Sequence, residues 1–294
     1  MNPTPTQRYR AFMALLGGVF FTGVSALLIK SAHAPGIVTA FYRMSIGSAI
    51  LLIPFLWTQW KQKTTLPLKG VLYAMLGGVF FACDMSLWAT AIVATNTTIP
   101  TLAANLAPIW AGLGAMWVFR EKPRKGFWFG LCLSLCGIFI MLGHELSTPS
   151  GILLGAAMGL FAGMFYGFFY LATQKGRALI STVNYLSIST FTSAFILFLM
   201  MLIFHHPFTG YDNVTWINFL TYGAGVQVIG WWLINYAQGY LKATVVAPTL
   251  LGQPVVTAIG AYLLLGEQHT IWHLTGGCVV ILGIYRVVFT RQKQ

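Results

Sequence analysis

Residues 254–283 of this chain repeat, mark for mark, a stretch that has already occurred 146 positions earlier (254 − 108 = 146). Pro254, Gly260, Glu267, Gly276, Cys278 and Gly283 answer to Pro108, Gly114, Glu121, Gly130, Cys132 and Gly137. Outward, the same offset pairs Thr244 with Thr98, Ala237 with Ala91 and Gly223 with Gly77. The register holds without a gap over about sixty residues. Two copies of one unit restrict the fold to arrangements with an internal symmetry.

The medium of that fold follows from composition. Of 294 residues 57% are hydrophobic and 7% charged, against about 25% charged in a soluble domain, so the chain lacks the charge to coat a water-facing surface. Its apolar runs cover 11–29, 36–57, 70–93, 97–119, 126–143, 150–173, 182–204, 215–240, 243–266 and 271–289, each near the ~20 residues that a spanning helix needs. These predict an all-α integral membrane protein of ten transmembrane helices, five in each copy, over residues 11–143 and 150–290. Ser31 to Ala34 faintly resembles a signal-peptidase site. The run before it is long for a signal peptide, and its removal would leave the first copy one helix short, so it is kept as the first helix. No connection could hold a soluble domain, and no phosphate loop or dinucleotide fingerprint occurs. No cofactor is expected.

A net charge of +12 raises the question of nucleic acid, but its placement points to topology. With ten spans, one side receives Arg8, Arg10, Lys61, Lys63, Lys69, Arg120, Lys122, Arg124, Lys125, Lys175, Arg177, Lys242, Arg286, Arg291 and Lys293. The other receives Lys30 alone among basic residues, with Glu145, Asp212 and Glu267. The positive-inside rule then puts both termini in the cytoplasm. Five spans per copy is odd, so the second copy enters from the opposite side. Glu121 accordingly stands among four basic residues and its twin Glu267 among none. Inverted repeats recur in secondary transporters, with substrate bound near the midplane between the copies.

Leu263-Leu-Leu-Gly266-Glu267, followed by Gly276 and Gly283, resembles the drug/metabolite transporter superfamily, in its ten-helix, two-repeat EamA-type branch. That family typically ends each half with a glutamate and two spaced glycines. The first half departs from the pattern, with Arg120 before Glu121 in Trp117-Val-Phe-Arg120-Glu121. The resemblance extends over about residues 11–290 and, within the family, is to bacterial exporters of amino acids, including aromatic ones. It implies a multi-pass protein of the bacterial inner membrane that moves a small-molecule substrate. A monomer is compatible with it, and membrane lipid is the only other partner it implies.

Several residues are candidates for the moving and binding parts. Pro108 and Pro254 fall mid-span, where each lacks an N–H and frees the carbonyl four residues back. They read either as plain kinks or as hinges widening a central cavity, into which Asn105 and Gln253 would reach. Arg43 and Asp84 are the only charged residues set well inside the spans, at depths that agree closely enough to pair. They read either as a structural ion pair or as groups that bind charge on a substrate or carry a coupling proton. Their twins are Ile188 and Gly230, so the pair is asymmetric. Glycines 155, 159, 163 and 167 and alanines 103, 107, 111 and 115 each recur every four residues, a spacing that lets helices approach closely. Trp88, Trp110, Tyr166, Trp231 and Tyr236 lie inside helices as packing or cavity-lining residues, with Gln227 and Asn235 available to bond a substrate's amino or carboxyl group. His269 and His273 near Glu267 have the spacing of metal ligands but no further ligand, and no metal site is expected. The four cysteines read as small buried hydrophobes. The expected function is export of amino acids by alternating access. An intramembrane enzyme acting on lipid-linked substrates, or transport of drugs or other metabolites, is the alternative.

Overall fold

In hydrocarbon, backbone N–H and C=O groups have no partners but one another, and a single chain satisfies them locally only as helix. A computed structural model describes residues 4–30, 32–62, 65–94, 98–120, 123, 125–142, 152–265 and 271–289. Glu121, Gly266, Glu267 and His269 lie outside these residues, as does the side chain of His273. Among the described residues there is no strand. The elements are α1 (Pro5–Lys30), α2 (Gly36–Gln62), α3 (Leu68–Ala94), α4 (Thr98–Ala104), α5 (Ala107–Phe119), α6 (Lys125–Leu142), α7 (Ile152–Arg177) and α8 (Thr182–Ile203). Then α9 (Asn213–Thr221) runs through a π-helical segment (Tyr222–Gly230) into α10 (Trp231–Gln238). Likewise α11 (Ala243–Thr249) runs through a 3₁₀ turn (Leu250–Gly252) into α12 (Gln253–Leu265), and α13 (Ile271–Phe289) ends the series.

Among the described residues six stretches are long and apolar enough to cross a membrane: Gly36–Lys61, Leu68–Ala91, Leu153–Arg177, Thr182–Ile203, Asn213–Gln238 and Ala243–Gly260. Ala107–Phe119, Lys125–Ile140 and Leu274–Val288 are shorter apolar helices. Large apolar side chains stand on the outer surface, with Ile53, Phe191 and Leu263 each more than 60% exposed. So large an uncovered apolar surface suits lipid and not water.

Both mid-span prolines mark true breaks. A proline ring crowds the carbonyl four residues back and offers no N–H; here those carbonyls belong to Ala104 and Leu250. The first break is the turn Asn105–Leu106, closed by three-residue bonds from Leu106 N to Ala103 O (3.1 Å) and from Ile109 N to Leu106 O (2.9 Å). The second is the 3₁₀ turn just before Gln253 and Pro254. Adding 146 to Asn105 and Leu106 gives Leu251 and Gly252, so the two copies break at the same place.

Packing joins the copies to each other. Along α6 and α13, Gly130 meets Gly283, and Gly137 meets Gly276 and Val280, so the helices run antiparallel. A Cβ on Gly130 would stand 2.7 Å from Gly283 O, and one on Gly137 2.6 Å from Val280 N. Between these contacts Ser134 Oγ donates to Val280 O (3.4 Å), and those two residues are themselves 146 apart. The matched glycines are therefore packing marks, as their spacing suggested. Other contacts come in corresponding pairs: α3 with α7 answers α1 with α10, and α4–α5 with α7 answers α12 with α1. The two small-residue stripes turn out to face each other. A Cβ on Gly159 would come 2.9 Å from Ala103 Cβ, one on Gly163 2.8 Å from Ala104 O, and one on Gly167 2.9 Å from Ala107 O.

Candidate functional site

The buried centre is built around Arg43 on α2, which is 4% exposed. Its Nε donates to Gln227 Oε1 (3.0 Å), and its Nη1 donates to Tyr222 Oη (2.8 Å) and toward Met85 Sδ (3.6 Å). Gln227 Nε2 donates on to Thr190 Oγ1 on α8 (3.0 Å). The guanidinium also lies over the rings of Tyr222 (4.6 Å) and Phe81 (5.5 Å), a favourable placement for a buried cation. Neutral acceptors and aromatic faces thus hold this charge.

Tyr222 and Gln227 reach one guanidinium because the segment that bears them is not α-helical. Five residues of α-helix would set them about 140° apart around the axis. A π-helix closes its hydrogen bonds over five residues, so positions five apart lie nearly above one another. Gly223 and Gly230 let this wider coil press on its neighbours. A Cβ on Gly223 would meet Ile46 at 2.7 Å, and one on Gly230 would meet Phe21 at 3.0 Å.

The expected ion pair between Arg43 and Asp84 is not made. Asp212 by contrast is met by His33 (3.0 Å), at the far end of α1. The reason lies in Arg43, whose Nε and Nη1 are taken by Gln227 and Tyr222. Asp84 is 2% exposed, and its Oδ2 is buried with no hydrogen-bond partner. It sits one turn beyond Phe81 on α3. Phe81 belongs to an aromatic wall in which it stacks on Phe169 (4.7 Å) and meets Trp231 edge-on (4.7 Å). Tyr166 packs on Tyr170 (4.5 Å) and against Trp231 (6.1 Å) in the same wall.

Next to this wall, where the two helix breaks approach α7, is a cavity of about 20 Å³ lined by Asn105, Pro108, Tyr166, Tyr170, Leu250 and Gln253 among others. That is room for one water, far below the hundreds of Å³ of an organic-ligand pocket. The centre is closed in this conformation. Asn105 and Gln253 do meet at one cavity, with Asn105 Nδ2 unpartnered and Gln253 Nε2 bonded to Thr22 Oγ1 (2.8 Å). Trp110 and Trp231 each bury an unpartnered Nε1.

Other candidates are placed differently. Asn235 turns back on its own helix, donating to Trp231 O (2.9 Å). Tyr236 stacks on Trp232 (5.8 Å) and packs on Tyr240, away from the cavity. Trp88 is half-buried on α3, and Pro254, unlike Pro108, does not line the cavity. Gln227 is already bonded at both ends of its amide. The sequence reading missed Tyr170, Tyr222, Phe81, Phe169 and Thr190. Tyr166, Phe169 and Tyr170 share a face by i, i+3 and i+4 spacing, a signal that was available; Tyr222 and Thr190 carried none.

Both ends are tied shut. At one, Tyr42 stacks on Phe219 (4.7 Å) among Phe41, Phe208, Tyr211 and Trp216, and its hydroxyl bonds Phe208 O. There His33 Nδ1 also meets Asp212 Oδ2 (3.0 Å). At the other, Arg177 Nε donates to Asn235 O (3.0 Å), Gln174 Oε1 accepts from Ala243 N (2.5 Å), and Gln59 Nε2 donates to Asn184 Oδ1 (2.9 Å).

Known proteins agree with this architecture. The EamA-like transporter family matches twice, over residues 10–143 and 153–289. The chain is 23% identical over 287 residues to the uncharacterized transporter YwfM of Bacillus subtilis, spanning 93% of this chain and 90% of that protein. To YetK of the same organism, also an uncharacterized transporter, it is 25% identical over 303 residues, spanning 97% and 88%. An uncharacterized transporter of Archaeoglobus fulgidus is 22% identical, spanning 88% and 94%. One crystal structure superposes with a TM-score of 0.81 over 98% of this chain and all of that one, at 14% identity, a likeness of fold alone. With both halves matched, the chain belongs to the EamA-like transporter family.

Proposed function

We propose that this transporter exports amino acids, aromatic ones included, by alternating access between two inverted five-helix repeats that together span the membrane ten times. Joining α4 to α5, α9 through α10, and α11 to α12 turns the helices into ten rods. The antiparallel contact of repeat-equivalent α6 and α13 supports the inversion.

The observation that carries the substrate reading is the unpaired state of Arg43 and Asp84. An amino acid brings one carboxylate and one ammonium. Arg43 keeps the two hydrogens of Nη2 for the first, and Asp84 Oδ2, buried without a partner, suits the second. An unpaired buried carboxylate costs free energy, and a bound ammonium would relieve that cost. Phe81, Tyr166, Phe169 and Trp231 would face the substrate side chain once the centre opens. Opening requires movement at the breaks before Pro108 and Pro254, since about 20 Å³ admits no amino acid. The expected setting is the bacterial inner membrane with both termini cytoplasmic.

Counterflow in proteoliposomes tests this reading. Preloaded phenylalanine or tyrosine should drive uptake of the labelled amino acid, and decarboxylated or N-acetylated analogues should not compete. Absence of counterflow for every amino acid would reject the substrate class.

A further inference from the structure

We propose that the apolar groove along α6 binds one acyl chain of an anionic phospholipid, with the phosphate resting on Lys125. The groove has a volume of about 860 Å³ and runs between α4–α5 and α6; its lining includes Leu106, Ile109, Trp128, Cys132, Cys136 and Phe139. The α6 side of it is one helical face, since positions 128, 132, 136 and 139 follow the i, i+4, i+8, i+11 rule. Lys125, exposed, stands one turn before Trp128 on that face. Arg120, also exposed, caps the end of α5, five residues before Lys125 in the chain.

The fit is in length, chemistry and charge. From Trp128 to Phe139 the face measures about 17 Å at 1.5 Å per residue, close to the ~15 Å depth of one leaflet's hydrocarbon. The lining carries no charge and no polar group beyond the Trp128 indole N–H and the two thiols. At its end stand a tryptophan, the residue favoured at the headgroup level, and, one turn before it, the cation of Lys125. The first-turn N–H groups of α6 have no helical acceptor and add positive field for a phosphate.

The groove also touches the mechanism. Ala103, Leu106 and Ile109 line it, while Ala104, Asn105, Ala107 and Pro108 line the central cavity. One broken segment is the wall between the two, so a chain seated in the groove braces the hinge from behind.

The test is photo-cross-linking in vesicles of phosphatidylcholine containing phosphatidylglycerol with a diazirine in its acyl chain, with adducts mapped by mass spectrometry. Adducts should concentrate on residues 128–139 and on Leu106 and Ile109, above the level at Phe191 and Phe195, which are exposed on α8. Lys125→Gln should lower the groove adducts roughly fivefold, the weight of one basic residue near an anionic headgroup. Cys136→Trp should remove them by filling the groove. Diazirine-labelled phosphatidylcholine should mark the groove less. Equal labelling of groove and α8, equal labelling by both lipids, or an unchanged yield in Lys125→Gln would overturn the proposal. None of these readouts depends on transport, so failure here leaves the amino-acid reading standing.

Discussion

The seam between α6 and α13 and the centre around Arg43 are built on opposite plans. At the seam every mark has a twin, Gly130 in Gly276, Gly137 in Gly283 and Ser134 in Val280; the glycines touch crosswise, Gly130 on Gly283 and Gly137 on Gly276, about Ser134 on Val280. At the centre the charged residues have none. Arg43 answers to Ile188 and Asp84 to Gly230, and the coil that carries Tyr222 and Gln227 is π-helical, whereas the matching stretch of α3 is α-helical. Symmetry belongs to the frame that must look alike from both faces. On the proposed reading the binding chemistry belongs to residues that broke it, because one substrate cannot present the same groups to two symmetric sites.

The sharpest way to break the comparison is to spoil the seam. A side chain on Gly283 would place its Cβ 2.2 Å from Ser134 Oγ and 2.5 Å from Ser134 N, and backbone cannot step aside. Gly283→Leu should cost about 3 kcal/mol or more by overpacking and leave little folded protein by size-exclusion chromatography. Gly277→Ala, on the same helix, meets nothing closer than 3.7 Å and should raise the melting temperature slightly, since alanine is the better helix former. Equal behaviour of the two variants would remove the glycine seam as a structural element.

The centre should respond in the opposite currency. Asp84→Asn replaces a buried carboxyl whose Oδ2 has no partner by an amide of the same shape and so should leave stability nearly unchanged, while transport falls about 10- to 100-fold, the weight of one hydrogen bond to a charged group. Asp212→Asn, in an exposed loop, should leave transport near normal. Wild-type rates in both variants would end the binding role of Asp84. Tyr222→Phe should act more modestly. It takes one acceptor from Arg43 while Gln227 remains, costing about 1.5 kcal/mol, read as a lower midpoint in thermal unfolding.

The sequence made the frame legible because frame residues leave periodic traces. An offset of 146 found the seam glycines and both breaks, and four-residue spacing found Gly159, Gly163, Gly167 and the alanines they meet. Asn105, Pro108, Tyr166 and Gln253 were found as cavity residues, since a polar or proline residue mid-span has few other uses. The centre was less legible. Depth alone brought Arg43 near Asp84, but which partner a guanidinium takes depends on rotation about the helix axis. That rotation was set by the π segment, whose extra residue per turn has no trace in Tyr222-Gly-Ala-Gly-Val-Gln227. The Asn235 amide bonds Trp231 O for a related reason: a short side chain finds its own helix's carbonyl before it reaches a neighbour, and its Oδ1 stays buried without a partner.

The smallest expected effect lies outside both regions and marks where electrostatics stops mattering to either. Asp212 caps α9, accepting from Thr215 N (2.9 Å), and meets His33 at 3.0 Å. Bonds from the Thr215 hydroxyl and amide, then from His33, hold its carboxyl below the ordinary carboxylate range, at about 2. A depressed folded pKa means that the stabilisation is present above the ordinary value, about 3.9, and is lost as pH falls through about 2. The melting temperature of the wild type should therefore decline over that window by a small increment that Asp212→Asn lacks, because asparagine caps a helix about as well but does not titrate. Solvent exposure keeps the increment small. Identical acid profiles for the two proteins would show that the His33–Asp212 tie contributes nothing to holding α1 against α9, and would leave the aromatic cluster around Tyr42 as what closes that end.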